Sequence, residues 1–475
     1  MYDFRKINFG YADAHTEGED CPILLKEGYL DISQVVNKAI NTSTFLFLGY
    51  KGSGKSSLSE HLRLTQDDIM VDQQGLKDFP FKVFDKILDN EDRLLKYKTI
   101  WRWLLCVKVF CDLLEDETSV TSVNDDVQRS IEVFTQSGIF PVINISSLIK
   151  KTITKSIGIV VKQLQLGHTQ NEEDAAVEIE MLTEYIKKLI CSIREERTHV
   201  IVIDELDDIL SPNGNQFYNI AALINEVKDL NIFFSRFNVP VKILVLCRTD
   251  MFERLPDPNI NKIKQDKSFT FSWYREGINN PNDSDLIKLI NLRTQLIYPN
   301  IDDAFAIFFP PTYEKRPIHS ALLDFTRHTP RDFVQLINYI QRHCTSDKVD
   351  TTAITKGVKE YSTEYFKHEI ANEMAGYIPM NHIEGVFSVL SSMRSRDFTY
   401  QQFIDKCYIN NKLQGANFEE ILRVMYDCSA IGHVYSYIKG VSRVTFKYRN
   451  RTSSFDSTDR ILLHKGLWKA MNVNY

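Results

Sequence analysis

The segment Gly49-Tyr50-Lys51-Gly52-Ser53-Gly54-Lys55-Ser56 fits GxxxxGK[ST]. It lies between the apolar run Phe45-Leu46-Phe47-Leu48 and a stretch, Ser57 to Leu64, with helical spacing. A short continuous apolar run closed by glycine fits a strand buried on both faces, as in a parallel sheet. Strand, glycine-rich loop and helix in that order make a phosphate cradle: the glycines let backbone N–H groups curl around phosphate oxygens, and the helix presents its positive end. Gly49 to Ser57 is therefore the expected binding segment for ATP and Mg2+. Lys55 is expected to reach the β and γ phosphates, and the Ser56 hydroxyl to ligate magnesium.

Such a cradle needs a carboxylate at the end of a second buried strand, and Val200-Ile201-Val202-Ile203-Asp204-Glu205 supplies it. Asp204 is expected to hold the magnesium shell and Glu205 to polarise the attacking water as general base. Asp207 and Asp208 fit a solvated loop and helix start better. A third buried run, Val241 to Cys247, ends in Arg248-Thr249-Asp250, where a parallel sheet delivers ligand-contacting groups. Any of the three could serve, and a turn capped by Asp250 is the plainer alternative. In Thr329-Pro330-Arg331-Asp332, Pro330 suits a first helical turn, so Arg331 would project from a helix start. A surface ion pair with Asp332 would equally satisfy it.

Strands separated by helices predict a three-layer α/β sandwich with a mostly parallel sheet. From about Asp285 the pattern turns helical, over Leu286 to Leu296, His319 to Thr326, Arg331 to His343 and Thr351 to Met374, which reads as a helical lid. Three further helices, a hairpin at His433 to Tyr437 and Arg443 to Arg449, and a short last helix at Lys465 to Met471 suggest a C-terminal winged-helix domain. The expected organisation is a lead packing on the nucleotide domain over 1–40, a P-loop ATPase domain over 41–275, a lid over 276–375 and the winged helix over 376–475.

At 475 residues the chain is long enough for several packed units. Without a run of about 18 apolar residues or an apolar leader after Met1, no membrane partner and a cytoplasmic location are the default expectations. Eight cysteines without a CxxC pair fit buried reduced thiols. The net charge of −6 excludes a wholly basic surface, yet from Arg394 onward basic residues outnumber acidic ones by about six. Strand alternation over 443–449 would send Val444, Phe446 and Tyr448 to one face and Arg443, Lys447 and Arg449 to the other, extended by Lys439 and Arg451. Such a face would meet DNA phosphates. It also fits a solvated edge that discourages strand pairing, or a protein contact.

The order of P-loop, Asp-Glu strand, polar strand end, Pro-Arg helix and winged helix resembles the initiator branch of AAA+ proteins and the related STAND ATPases. More narrowly, Phe9-Gly10-Tyr11-Ala12-Asp13-Ala14, the Gly49-to-Lys55 loop, Arg248-Thr249-Asp250 and His464-Lys465-Gly466-Leu467 resemble a bacterial P-loop ATPase family, some members of which are linked to mobile elements or phage defence. The resemblance implies that a residue among Arg248, Thr249 and Asp250 senses the γ phosphate, and that Arg331 contacts nucleotide and couples lid closure to it. It also implies Phe9 to Tyr11 as adenine contacts. A clear arginine finger is missing before the strand near Phe269 to Phe271, Arg254 being the nearest arginine, so a ring-shaped oligomer is not implied. Two functions are consistent with this pattern: an ATP-hydrolysing switch acting on DNA or a partner, antiviral defence being lent by resemblance alone, and a nucleotide-gated assembly scaffold with little turnover.

Overall fold

The computed structural model describes residues 2–76, 79–80, 93–115, 125–140, 142, 144–152, 156–164, 166, 175–194, 196–206, 215–277, 283–436 and 442–473. Asp207, Asp208, Lys439 and the polar stretch His168 to Asp174 lie outside the described residues. The chain divides into two compact units, one of Ser33–Gly49 and Leu58–Thr270, the other of Met1–Ile32, Tyr50–Ser57 and Phe271–Tyr475.

In the first unit, β1 (Leu46–Gly49), β2 (Ile69–Gly75), β3 (Thr198–Asp204), β4 (Val241–Arg248) and β5 (Ser268–Thr270) form a sheet in the order β2-β3-β4-β1-β5. Every pair is parallel. Parallel neighbours require a crossover, and helices α1 (Lys55–Thr65), α2 (Arg93–Glu115), α3 (Ala175–Ser192), α4 (Asn215–Arg236) and α5 (Ile260–Lys267) fall between the strands. Leu46, Phe47, Leu48 and Val200 to Ile203 are buried, so the central strands are covered on both faces, as their unbroken apolar runs require. This is the expected α/β sandwich. Helices α2 and α4 are tied by polar contacts as well as apolar ones: Trp101 Nε1 donates to Asn219 Oδ1 at 2.5 Å, and Arg102 pairs with Glu226 at 2.8 Å.

The second unit is mainly helical. It contains α6 (Asp285–Gln295), α7 (Pro330–Arg342), α8 (Thr351–Glu360), a π-helical turn over Tyr361–Phe366 and α9 (Lys367–Ala375). The short strands β6 (Thr312–Tyr313) and β7 (Arg316–Pro317) pair in a hairpin. The chain's lead, up to Ile32, belongs to this second unit. The Phe4 ring meets Phe308 and Phe309 at centroid distances of 5.5 and 5.1 Å, and the Gln341 amide donates to the carbonyls of Phe4 and Ile7. Phe308 and Phe309, between α6 and α7 in the chain, and Gln341 on α7 hold it there.

Beyond α9, helices α10 (Met380–Met393), α11 (Tyr400–Cys407) and α12 (Phe418–Asp427) accompany an antiparallel sheet of β8 (Asp397–Phe398), β9 (Ile431–Ser436), β10 (Ser442–Thr445) and β11 (Arg460–Leu463), ordered β10-β9-β11-β8. The strand expected to run to Arg449 ends at Thr445. Phe446 O accepts from the N–H groups of both Arg449 and Asn450, which curls the backbone into a turn and ends the alternation of faces. Phe446 and Tyr448 are buried, and Val444 is half-buried. Lys447 Nζ donates to Ser453 O at 2.9 Å, and the Arg449 guanidinium lies over the rings of Tyr448, Tyr274 and Phe446, its Nε donating to Tyr448 Oη. Of the three cations assigned to a basic face, Arg443 is exposed, and it faces Glu276 at 3.3 Å. The expected three-residue basic face does not form.

Candidate nucleotide site

At the carboxyl edge of the sheet, β1 ends at Gly49 in register with Arg248, and β2 ends at Gly75 in register with Asp204. Parallel register therefore brings Gly49, Asp204 and Arg248 to one edge, the edge at which the glycine-rich loop leaves β1. Asp204 Oδ1 accepts the N–H of Glu205 at 2.7 Å, and Glu205 takes a positive φ of 61°. A non-glycine residue in that region carries strain of order 1–3 kcal/mol, the kind that gathers at functional sites. Its carboxylate lies over Gly75, where an added Cβ would meet Oε2. Gly75 was not singled out by the sequence, and nothing local in the sequence marks it.

Arg248 is buried and bound to Asp250 by two hydrogen bonds, Nε to Oδ1 at 3.0 Å and Nη2 to Oδ2 at 2.7 Å. Its fork is matched to a carboxylate, the geometry an arginine prefers when it leaves water. Thr249 Oγ1 is buried without a hydrogen bond. Of the three strand-end candidates, Arg248 and Asp250 are thus engaged with each other.

The loop itself belongs to the helical unit. Gly52 and Gly54 have φ of 77° and 92°, conformations that L side chains rarely adopt, which is why those two positions are glycine. Ser53 N–H donates to Tyr50 O at 3.1 Å, closing the turn, and Trp273 Nε1 donates to Ser53 O at 2.8 Å from beneath. Lys55 Nζ reaches back to Tyr50 O at 3.3 Å, placing its ammonium over the loop. Ser56, in the first turn of α1, is exposed. The Arg451 guanidinium stands 5.9 Å from the Tyr50 ring.

Arg331 meets this loop directly. Its N–H donates to Gly52 O at 3.3 Å, and a Cβ added to Gly52 would come within 2.9 Å of Arg331 Cβ. Thr329 caps α7 by accepting from the Asp332 N–H, and Pro330 occupies the first turn, as the sequence predicts. The alternative of an Arg331–Asp332 pair is not realised. Asp332 is fully buried and bound to Arg327 at 2.9 and 3.1 Å and to Tyr365 Oη at 3.1 Å, so Arg331 extends the other way. The Arg327 guanidinium beside it holds the Asp332 carboxyl below the usual range against the opposing effect of burial. Glu369, which the sequence did not disclose, lies 3.4 Å from Lys51 Nζ and 3.7 Å from Arg331 Nη1.

Phe9 is fully buried against Phe4, and its carbonyl accepts from Arg293 Nη1 at 2.5 Å, so its ring is a core group rather than an adenine contact. Gly10 O accepts from the Asn338 amide, and Tyr11 N–H donates to Glu17 Oε2 at 2.7 Å. The lead is fixed by α6 and α7; the Tyr11 side chain alone of the three stays exposed.

These groups fit a magnesium nucleotide. The positive-φ glycines form a cradle that side chains would fill, Lys51, Lys55 and Arg331 supply cations beside it, and the Ser56 hydroxyl is a hard oxygen donor of the kind magnesium takes alongside phosphate. Among the described residues no cluster of three or more His, Cys, Asp or Glu is suited to a metal, and no helix is long and apolar enough to cross a membrane.

A family model described as the FunZ-associated C-terminal helical domain matches residues 284–368, the segment that contains α6, α7, α8 and Arg331. No curated protein matches the chain. Among solved structures, the chain is similar to the Orc1 protein of Aeropyrum pernix in complex with DNA, at 10% identity and a TM-score of 0.36, covering 95% of this chain and 94% of that one. It is also similar to Cdc6p of Pyrobaculum aerophilum, at 11% identity and a TM-score of 0.32, covering 90% and 85%. The parallel sheet and its glycine-rich loop carry the fold assignment without these distant likenesses.

Proposed function

We propose that this chain is an ATP-binding and ATP-hydrolysing switch of the AAA+ type, in which nucleotide on the glycine-rich loop sets the position of the lid helices and of the C-terminal domain. The observation that carries the reading is the contact of Arg331 with Gly52, which ties α7 to the phosphate loop. In this reading Lys55, Lys51 and Arg331 bind phosphate oxygens, Ser56 and Asp204 hold magnesium, and Glu205 takes the proton of the attacking water. Magnesium there would neutralise charge developing between the β and γ phosphates.

The output is proposed to be a winged helix acting on DNA or a protein partner. His328, three residues before Arg331, stacks on Tyr448 with ring centroids 5.2 Å apart, so movement of the α7 start is felt by the segment after β10. A second reading, a nucleotide-gated assembly scaffold with little turnover, is favoured by the inward engagement of Lys447 and Arg449, which leaves Arg443 as the exposed cation among the described residues of that face. Antiviral defence rests on family resemblance alone.

Steady-state hydrolysis by wild type and Glu205→Gln, with and without duplex DNA and with mass followed by light scattering, tests both readings. Turnover that DNA stimulates and the substitution removes supports the first. ATP-driven assembly with negligible turnover and no DNA effect supports the second, and normal turnover by Glu205→Gln refutes the assignment of the base.

A further inference from the structure

Glu369 stands in the first turn of α9, directly after the π-helical turn Tyr361–Phe366. Such turns are rare and recur at functional sites because they rotate the following residues out of helical register. The Glu369 side chain is 16% exposed, and its Oε2 is buried without a hydrogen bond. A carboxylate oxygen in that state is costly, and what faces it is a pair of cations from the nucleotide site, Lys51 Nζ at 3.4 Å and Arg331 Nη1 at 3.7 Å. Neither distance is that of a charge-assisted hydrogen bond, which closes to about 2.7–2.9 Å. The attraction is a loose electrostatic one. Phosphate oxygens carry more charge and offer better hydrogen-bond geometry to the same two cations.

We propose that Glu369 is a positioning residue of the nucleotide site: it holds Lys51 and Arg331 together beside the loop and yields them to the phosphates of the incoming nucleotide. The proposal rests on the nucleotide reading above and adds that an internal carboxylate competes with ligand, so affinity is set below what the cations alone would give. Glu369→Gln keeps the size of the side chain and removes its charge, and therefore tightens ATP binding, by about tenfold. Glu369→Asp keeps the charge and stays within about threefold of wild type. In an Arg331→Ala or Lys51→Met background the gain from Glu369→Gln shrinks, because its beneficiary is missing.

The experiment is competition of ATP against a fluorescent ATP analogue on the full chain, for wild type, Glu369→Gln, Glu369→Asp and Lys55→Ala, with thermal melting of each. Loss of binding in Lys55→Ala together with tighter binding in Glu369→Gln at an unchanged melting temperature is the expected result. A role in folding alone would lower the melting temperature and could not tighten binding. Loss in Lys55→Ala with unchanged or weaker binding in Glu369→Gln overturns the role of Glu369, whereas wild-type binding by Lys55→Ala overturns the nucleotide reading itself.

Discussion

The N–H of Arg331 donates to the carbonyl of Gly52 across 3.3 Å, so a helix start far along the chain rests on the middle of the phosphate loop. That contact leaves no room for a side chain at Gly52, where an added Cβ would lie 2.9 Å from Arg331 Cβ, and the φ of 77° adds a strain of about 1–2 kcal/mol for any L residue. Gly52→Ala is expected to weaken ATP binding at least about tenfold while leaving the parallel sheet folded. Nucleotide titration beside circular dichroism measures both, and wild-type affinity would show that the loop and α7 can separate freely.

Arg331 and Asp332 are neighbours with opposite predicted phenotypes. Arg331 is partly exposed and bonded to the loop through its backbone, so Arg331→Ala should keep the melting temperature and lower turnover by about 10²-fold or more, the lower end of what removing one donor to the developing charge costs. Asp332→Ala leaves the buried Arg327 with Glu373 as its remaining carboxylate and should destabilise by about 3–5 kcal/mol. Melting curves and steady-state hydrolysis on the two variants separate these outcomes.

Gly75→Ala is expected to uncouple stability from turnover. The atom an added Cβ would meet is Glu205 Oε2, the far end of a flexible side chain, so the fold can yield while the carboxylate moves. A misplaced base costs rate steeply. Turnover at least about tenfold lower at near-native melting temperature is the expected result, and unchanged turnover would argue that Glu205 does not act from this position.

Acid sensitivity should trace in part to His464. Its ring is 1% exposed, Nδ1 accepts the Gly466 N–H at 3.0 Å, and burial followed by the nearby Arg327 and Arg449 guanidiniums pushes its pKa down to about 3. The unfolded chain binds this proton near pH 6.5, so the stability this neutral ring confers is full above that pH and is lost progressively toward about 3, at about 1.4 kcal/mol per unit. His464→Asn retains an acceptor for Gly466 without the titration. The fall in melting temperature between pH 7 and 5 should be smaller in the variant, and an equal fall would place the acid sensitivity elsewhere.

What the sequence determined by itself was whatever is local in chemistry: buried strands written as unbroken apolar runs, glycines at positions of positive φ, a carboxylate pair closing β3, and a Thr-Pro start to α7. These depend on neighbours within a few residues, and the backbone honours them wherever the segment is placed. Tertiary structure decided which partner each charged or aromatic group meets, because that depends on how the backbone turns and on what other segments pack against it, whether the partner is five residues away or hundreds. Asp332 turned to Arg327 and not to Arg331, and Phe9 went into an aromatic core instead of facing a ligand. Arg449 curled inward once the strand ended at Thr445. Glu369 came to face Lys51 and Arg331, a relation with no trace in local spacing, since a lone glutamate in a helix looks the same whether it faces water or two cations of a phosphate loop.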